Sequence, residues 1–185
     1  MVPRLPTPDP GPSDGLVLLR PWHETDVPQL VEACRDPEIP KWTAAPDDYS
    51  EADAQAWVRG DALENEPWGD RVSFCVADAA EPARLLGSMS VMHVIRGGGA
   101  EIGYWTAPWA RGRGLTTRAV LVLARWAVEE FALRRIELVI AVENEGSNRV
   151  AERAGFTNEG LLRQYREAKG IWRDHYMWSL LRREL

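Results

Sequence analysis

At 185 residues with a formal charge of −6, the chain has the length of one domain and is too acidic to bind nucleic acid through a broad basic surface, so any anion must be held by a local site. Its two cysteines, Cys34 and Cys75, lie far apart without metal-ligand spacing, which argues against a disulfide framework, and no metal is expected. No apolar run approaches the ~20 residues of a membrane span and the first residues lack a basic-then-apolar leader pattern, so the expectation is a soluble, cytoplasmic protein.

Residues 1–14 carry Pro3, Pro6, Pro8, Pro10 and Pro12, which predicts a disordered tail ahead of a single domain over 15–185. A first strand is expected over 16–20. A helix follows from Glu24 to about Arg35, with Val27, Leu30, Val31 and Cys34 on one face, ended by Pro37 and Pro40. A loop with Trp42, Pro46 and Tyr49 leads to Ser50, a helix N-cap with Asp53 as its capping-box partner, and that helix is expected to reach about Leu63. Strands are predicted at 72–76, at 85–95 with Gly87 as a bulge, and at 101–106 beyond the Gly97-Gly98-Gly99 turn. A long amphipathic helix runs to about Phe131, with Leu115, Ala119, Leu123, Trp126 and Ala127 at helical spacing. The apolar run 136–142 reads as a central strand. A short helix is expected over 147–154, with Gly155 as its C-cap and Phe156 packing after it. Strands at 158–168 and 171–182 close the chain around Lys169-Gly170. The order β-α-α-β-β-β-α-β-α-β-β predicts an α/β chain of the α+β kind, with helices packed on a mixed sheet rather than a repeating βαβ fold.

The most informative segment is Arg111-Gly112-Arg113-Gly114-Leu115-Thr116, set between a strand and a long helix. A glycine-rich turn opening a helix gathers free backbone N–H groups at the positive end of the helix dipole, which suits phosphate. A Walker-type loop is excluded, because no Gly-Lys-Ser/Thr follows four residues after a first glycine. A Rossmann turn is disfavoured by Thr117 in place of the third glycine, by the position of Glu137 at the start of its strand, and by the lack of βαβ alternation.

The same segment resembles motif A of the GNAT acetyltransferases at Arg111, Gly114 and Thr116. Glu101-Ile102-Gly103-Tyr104-Trp105, the Arg-Gly-Arg-Gly turn, Asn144 with Ser147 and Arg149, and Gly155-Phe156 together resemble the RimJ/RimL branch over residues 16–183. The resemblance implies the GNAT fold, a central, mostly antiparallel, splayed sheet flanked by helices. It also implies acetyl-CoA as cofactor and N-acetyl transfer to a primary amine, on a protein N-terminus or a small molecule. In such a site the main chain of Tyr104, Trp105 and Thr106 would pair with the pantetheine arm. The amides of Gly112, Arg113, Gly114, Leu115, Thr116 and Thr117 would hold the pyrophosphate, and Arg111 completes the motif. Asn144 would reach the pantetheine arm, and Arg149 with Arg153 the adenosine phosphate. No nucleic acid or membrane partner is implied, and a homodimer is compatible with the resemblance.

Two positions depart from that pattern. Thr116 stands where Gly or Ala is usual, and Arg118 where Glu is common. Among catalytic candidates, the tyrosine that many GNAT enzymes use as an acid is replaced by Ala151, leaving Ser147 as the nearest hydroxyl and equally a helix cap. Base candidates are Glu101 and His93. The position that carries a Glu in some RimL enzymes is matched here by Arg166, with Glu167 beside it. Bland roles stand beside these: Arg149 pairing with Glu145, a structural strand carboxylate at Glu101, structural histidines at His93 and His175, and Trp42, Trp57, Trp105 and Trp172 as core or wall. A non-catalytic acyl-CoA-sensing module is the alternative function.

Overall fold

In the computed structural model, which describes residues 7–60 and 71–185, the strands are β1 (Val17–Arg20), β2 (Val72–Asp78), β3 (Leu85–Met92), β4 (Gly99–Thr106), β5 (Arg135–Ala141), β6 (Thr157–Ala168) and β7 (Ile171–Leu181). The helices are α1 (Val27–Cys34), α2 (Glu38–Trp42), α3 (Glu51–Arg59), α4 (Leu115–Glu130) and α5 (Glu145–Arg153). One seven-stranded sheet takes the order β1-β2-β3-β4-β5-β7-β6. Every adjacent pair is antiparallel except β4 and β5, so the sheet is mixed and mostly antiparallel, as the sequence predicts.

The parallel pair is short. β4 and β5 meet only where Gly99, Ala100 and Glu101 face Arg135, Ile136 and Glu137. Beyond Glu101 the strands part, because β5 stays in register with β7 along its whole length, from Arg135 opposite Leu181 to Ala141 opposite His175. β4 in turn stays paired with β3 out to Thr106. The sheet therefore opens as a V toward the carboxyl ends of β4 and β5.

Residues opposite one another across strands share a face. On one face Phe74, Met89 and Tyr104 lie in register, as do Leu138 and Trp178. α4 and α5 cover this face: Trp126 of α4 meets Phe74 edge-on at 5.1 Å, and Trp178 Nε1 donates to Asn148 Oδ1 of α5 at 3.0 Å. Its core is apolar, with Phe74, Met89, Leu123, Ile136 and Leu138 buried. The other face carries Ser73, Ser88, Ser90 and Glu101, all buried and polar. α1 and α3 lie over it, set there by a buried bidentate ion pair between Arg20 and Asp26, with N–O distances of 2.6 and 2.8 Å.

Several boundaries differ from expectation for local reasons. Residues 7–14 do not form a disordered tail. Leu19 N donates to Pro12 O at 2.9 Å, Asp14 accepts from Arg118 of α4 at 2.7 Å, and a Cβ on Gly11 would lie 1.6 Å from Leu19 O. The tail expectation for residues 1–6 lies outside the described residues. α2 falls in the expected loop. Pro37 is its N-cap and Pro40 sits in its first turn, where backbone N–H groups lack helical acceptors and proline costs no bond. α3 keeps the expected Ser50–Asp53 capping box but ends at Arg59, because Gly60 adopts φ +83°. The expected continuation to 61–63 lies outside the described residues. β3 ends at Met92, short of the expected Ile95, and His93 adopts φ +54°. The bulge near Gly87 falls on Leu86, while Gly87 itself is required because a Cβ there would lie 2.3 Å from Trp105 O. α5 starts earlier than expected, with Asn144 as its cap.

Candidate active site

β4 leads into the glycine turn. Gly112 and Gly114 adopt φ +74° and +73°, a left-handed conformation that points successive backbone N–H groups toward a common centre and is strained for other residues. Gly114 is the N-cap of α4, and no side chain caps the helix, so the first amides of this long helix have no side-chain acceptor. Thr116 Oγ1 and Thr106 Oγ1 share a hydrogen bond of 2.7 Å. The residue that departs from the motif thus ties the first turn of α4 to the last residue of β4. Arg111 also braces this corner: Nε donates to Thr106 O at 3.2 Å, and its terminal nitrogens donate to Asp36 at 3.0 and 3.2 Å. The Arg111 guanidinium is thereby committed to protein groups.

β5 leads into the second helix start. Asn144 Oδ1 accepts from Ser147 N at 3.1 Å. Ser147 is therefore not the cap, as the bland reading had it, but the residue whose amide is capped. Ser147 also lines the cavity described below. Asn148 holds the turn, donating to the carbonyls of Ala141, Val142 and Asn144. Tyr104 reaches across the V from β4, its hydroxyl donating to Ser147 O at 3.4 Å. Burial raises the Tyr104 phenol to about 12, so it stays protonated at neutral pH.

A cavity of about 770 Å³ runs through the V. Tyr104, Asn144 and Ser147 line it on the α4/α5 face, and Glu101, Trp105 and His175 on the α1/α3 face. The edge of β4 that faces β5 has no strand partner from Ile102 to Thr106. A second cavity of about 700 Å³ lies beside the first, and Glu101 and Arg166 line both.

Glu101 is 7% exposed, and both of its oxygens accept from Arg166, at 2.6 and 2.8 Å. A carboxylate gripped by a guanidinium is a poor base, since its lone pairs are occupied by charge-assisted bonds. His93, the other base candidate, lines only the second cavity. His175 presents a better-placed base. Its Nδ1 lies 3.0 Å from Arg173 O; a carbonyl only accepts, so Nδ1 carries the proton and Nε2 keeps its lone pair. Burial, aided by the charge of Arg166, holds the His175 pKa below the usual imidazole value. Arg149 stands apart from the cavity on the exposed side of α5, paired with Glu145 at 3.2 Å.

The structure thus brings Glu101, Tyr104, Trp105, Asn144 and Ser147 to one cavity, while Thr106 and the glycine turn, bonded to each other, do not line it. Sequence reasoning missed the side chain of Tyr104, which it used only for main chain, and set His175 aside. Both act through packing across the V, which residue spacing does not report.

A family profile described as "Acetyltransferase (GNAT) domain" matches residues 17–157. The chain belongs to the GNAT acetyltransferase family. It is an N-acetyltransferase of the RimJ/RimL-like kind. It is 34% identical over 137 residues to the probable N-acetyltransferase YjcK of Bacillus subtilis, covering 73% of this chain and 75% of that protein. An uncharacterized N-acetyltransferase of Bacillus licheniformis is 32% identical over 171 residues, 91% of this chain and 94% of that protein. The solved structure of Mycobacterium smegmatis RimJ in complex with CoA-disulfide is 27% identical, with a TM-score of 0.77, covering 91% of this chain and 83% of that one. Among the described residues no helix is long and apolar enough to cross a membrane.

Proposed function

We propose that this GNAT enzyme transfers the acetyl group of acetyl-CoA to a primary amine, a peptide N-terminus or a small molecule, by direct attack in a ternary complex. The observation that carries the proposal is the cavity running through the V from one face of the sheet to the other. A donor and an acceptor entering from opposite faces would meet in it. The complex of RimJ with CoA-disulfide supports coenzyme A as the donor's carrier. Three features of this chain fit that ligand: the α4 amides without a side-chain cap, the unpartnered edge of β4, and the cavity between that edge and the start of α5.

Acetyl-CoA supplies an acyl group already activated as a thioester. The amides of 112–117 would bind its pyrophosphate at the helix N-terminus. The open edge of Tyr104–Thr106 would take its pantetheine arm as an added strand. A backbone N–H of that edge aimed at the thioester oxygen would stabilise developing negative charge, an effect of about 2.7–4 kcal/mol per donor in other enzymes. On the α1/α3 face, neutral His175 would accept the proton of the attacking amine at Nε2, directly or through water. On the α4/α5 face, the hydroxyl of Tyr104, on letting go of Ser147 O, or that of Ser147 would give a proton to the departing sulfur. Glu101 would act by holding Arg166 rather than as a base.

A thermal-shift titration with acetyl-CoA paired with thiol release over an amine panel tests the proposal. The expected result is a rise in melting temperature and release of one thiol per acetylated amine. Binding without release on any amine would leave a sensing module, and no shift would remove coenzyme A from the site.

A further inference from the structure

The hairpin of β6 and β7 places Arg166 directly opposite Arg173. Like charges at such a position repel and weaken strand pairing. Both arginines line the cavity. Among the described residues only one of them is paired with a carboxylate: both oxygens of Glu101 accept from Arg166. Arg173 instead lies with its Cζ 5.4 Å from the Trp42 ring centroid, and its Nε is buried without a hydrogen-bond partner among the described residues.

Among the described residues, the acids around the cavity are not paired with it. Asp53 is bound to Ser50 at the start of α3. Asp47 is paired with Lys169, and Glu167 stands exposed at the rim. His175, next along the same face of β7, is held neutral by burial and by Arg166. Across the cavity, Trp57 Nε1 is a second buried donor with no hydrogen-bond acceptor among the described residues. Arg71 stacks on that indole, its Cζ 5.2 Å from the ring centroid, and donates to Ser90 Oγ at 3.2 Å. Among the described residues, the acceptor face thus presents hydrogen-bond donors and aromatic rings, with the buried carboxylate of Glu101 already occupied.

We infer that the acceptor of this enzyme is a primary amine that carries an anionic group, carboxylate or phosphate, set back from the nitrogen and read by Arg173 against Trp42. The inference rests on the transferase reading above and names its acceptor class. Arg173 is a specificity residue in this scheme. A planar guanidinium suits both anions, since it can donate two parallel bonds to either. The bound anion also relieves the repulsion between the two opposed arginines.

The test compares n-butylamine, 4-aminobutyrate, 3-aminopropyl phosphate and spermidine. A pair of amidated tetrapeptides differing only in glutamate or glutamine at the second position adds a side-chain anion. Wild-type protein and Arg173→Gln are assayed for thiol release, and each amine is titrated calorimetrically into the CoA-loaded protein. The expected kcat/KM is at least about tenfold higher for the anionic amines than for their neutral partners, the scale of one charge-assisted bond. Which anionic compound leads distinguishes carboxylate from phosphate and a small molecule from a peptide. Arg173→Gln brings the ratio within about twofold, leaves KM for acetyl-CoA unchanged, and melts no lower than wild type because it removes a like-charge opposition. Preference for spermidine or n-butylamine overturns the inference, as does an equal loss on all amines in Arg173→Gln, or binding of none. Anion-selective binding without thiol release retains the subsite and retires the transferase reading instead.

Discussion

The two faces that meet in the cavity are built in different ways. The α4/α5 face is organised by backbone: a glycine turn, a strand edge without a partner, and an Asn-capped helix start, all adjacent in sequence to β4 or β5. The α1/α3 face is organised by side chains from distant segments, with Glu101 paired to Arg166 and Arg173 stacked on Trp42. Backbone recognition tolerates side-chain change, and the donor common to a family needs no more. Recognition by side chains can differ from one relative to the next. On the proposed function, cofactor binding belongs to the first face and acceptor choice to the second.

The sharpest way to break this division is at Gly114. A valine there must hold φ near +73°, a conformation costing on the order of 1–3 kcal/mol for a non-glycine residue. Gly114→Val should lower acetyl-CoA affinity by ~100-fold through misplaced amides, read by calorimetry, while binding of the acceptor amine persists. Next come the hydroxyls on the donor face. Of Tyr104→Phe and Ser147→Ala, the one that removes the sulfur's proton donor should lower kcat by ~100-fold with little change in KM. If neither changes kcat, protonation comes from solvent.

On the acceptor face, Glu101→Gln should cost about 2 kcal/mol in urea unfolding, less than the ~3–5 of a fully buried pair because Arg166 is partly solvated. It leaves two opposed arginines without a carboxylate. Replacing His175 tests the base. Protonation would disable it, so kcat should fall as pH drops below about 6.5, the ordinary imidazole value, because burial moves the transition lower still. His175→Gln should abolish that limb; a limb that stays unchanged assigns it elsewhere. The smallest effect is expected at Thr116→Ala, where loss of the bond to Thr106 should raise KM for acetyl-CoA by about threefold.

Local features were legible in the sequence because they depend on neighbours along the chain. Ser50 with Asp53, Gly155 before Phe156, and the Lys169-Gly170 turn are bonds and backbone angles within a few residues. The glycine turn is of the same kind. α2 was hidden because Pro37 and Pro40 read as helix breakers, whereas in a first turn they break nothing. The order of residues 7–14 rests on contacts with β1 and with Arg118, which proline density does not report. The acceptor face was least legible. That Arg166 faces Arg173 depends on a bulge in β6 that sets three residues, Arg163 to Tyr165, against Asp174 alone. That Glu101 meets Arg166 depends on where β4 and β5 part. Neither register follows from spacing.

Amide hydrogen exchange with and without coenzyme A tests the division between the faces most directly. The expected result is slowed exchange at residues 104–106 and 112–117, with the amides of Trp42, Trp57 and Arg173 unchanged. Slowing at α2, α3 and β7 with none at the glycine turn would contradict it.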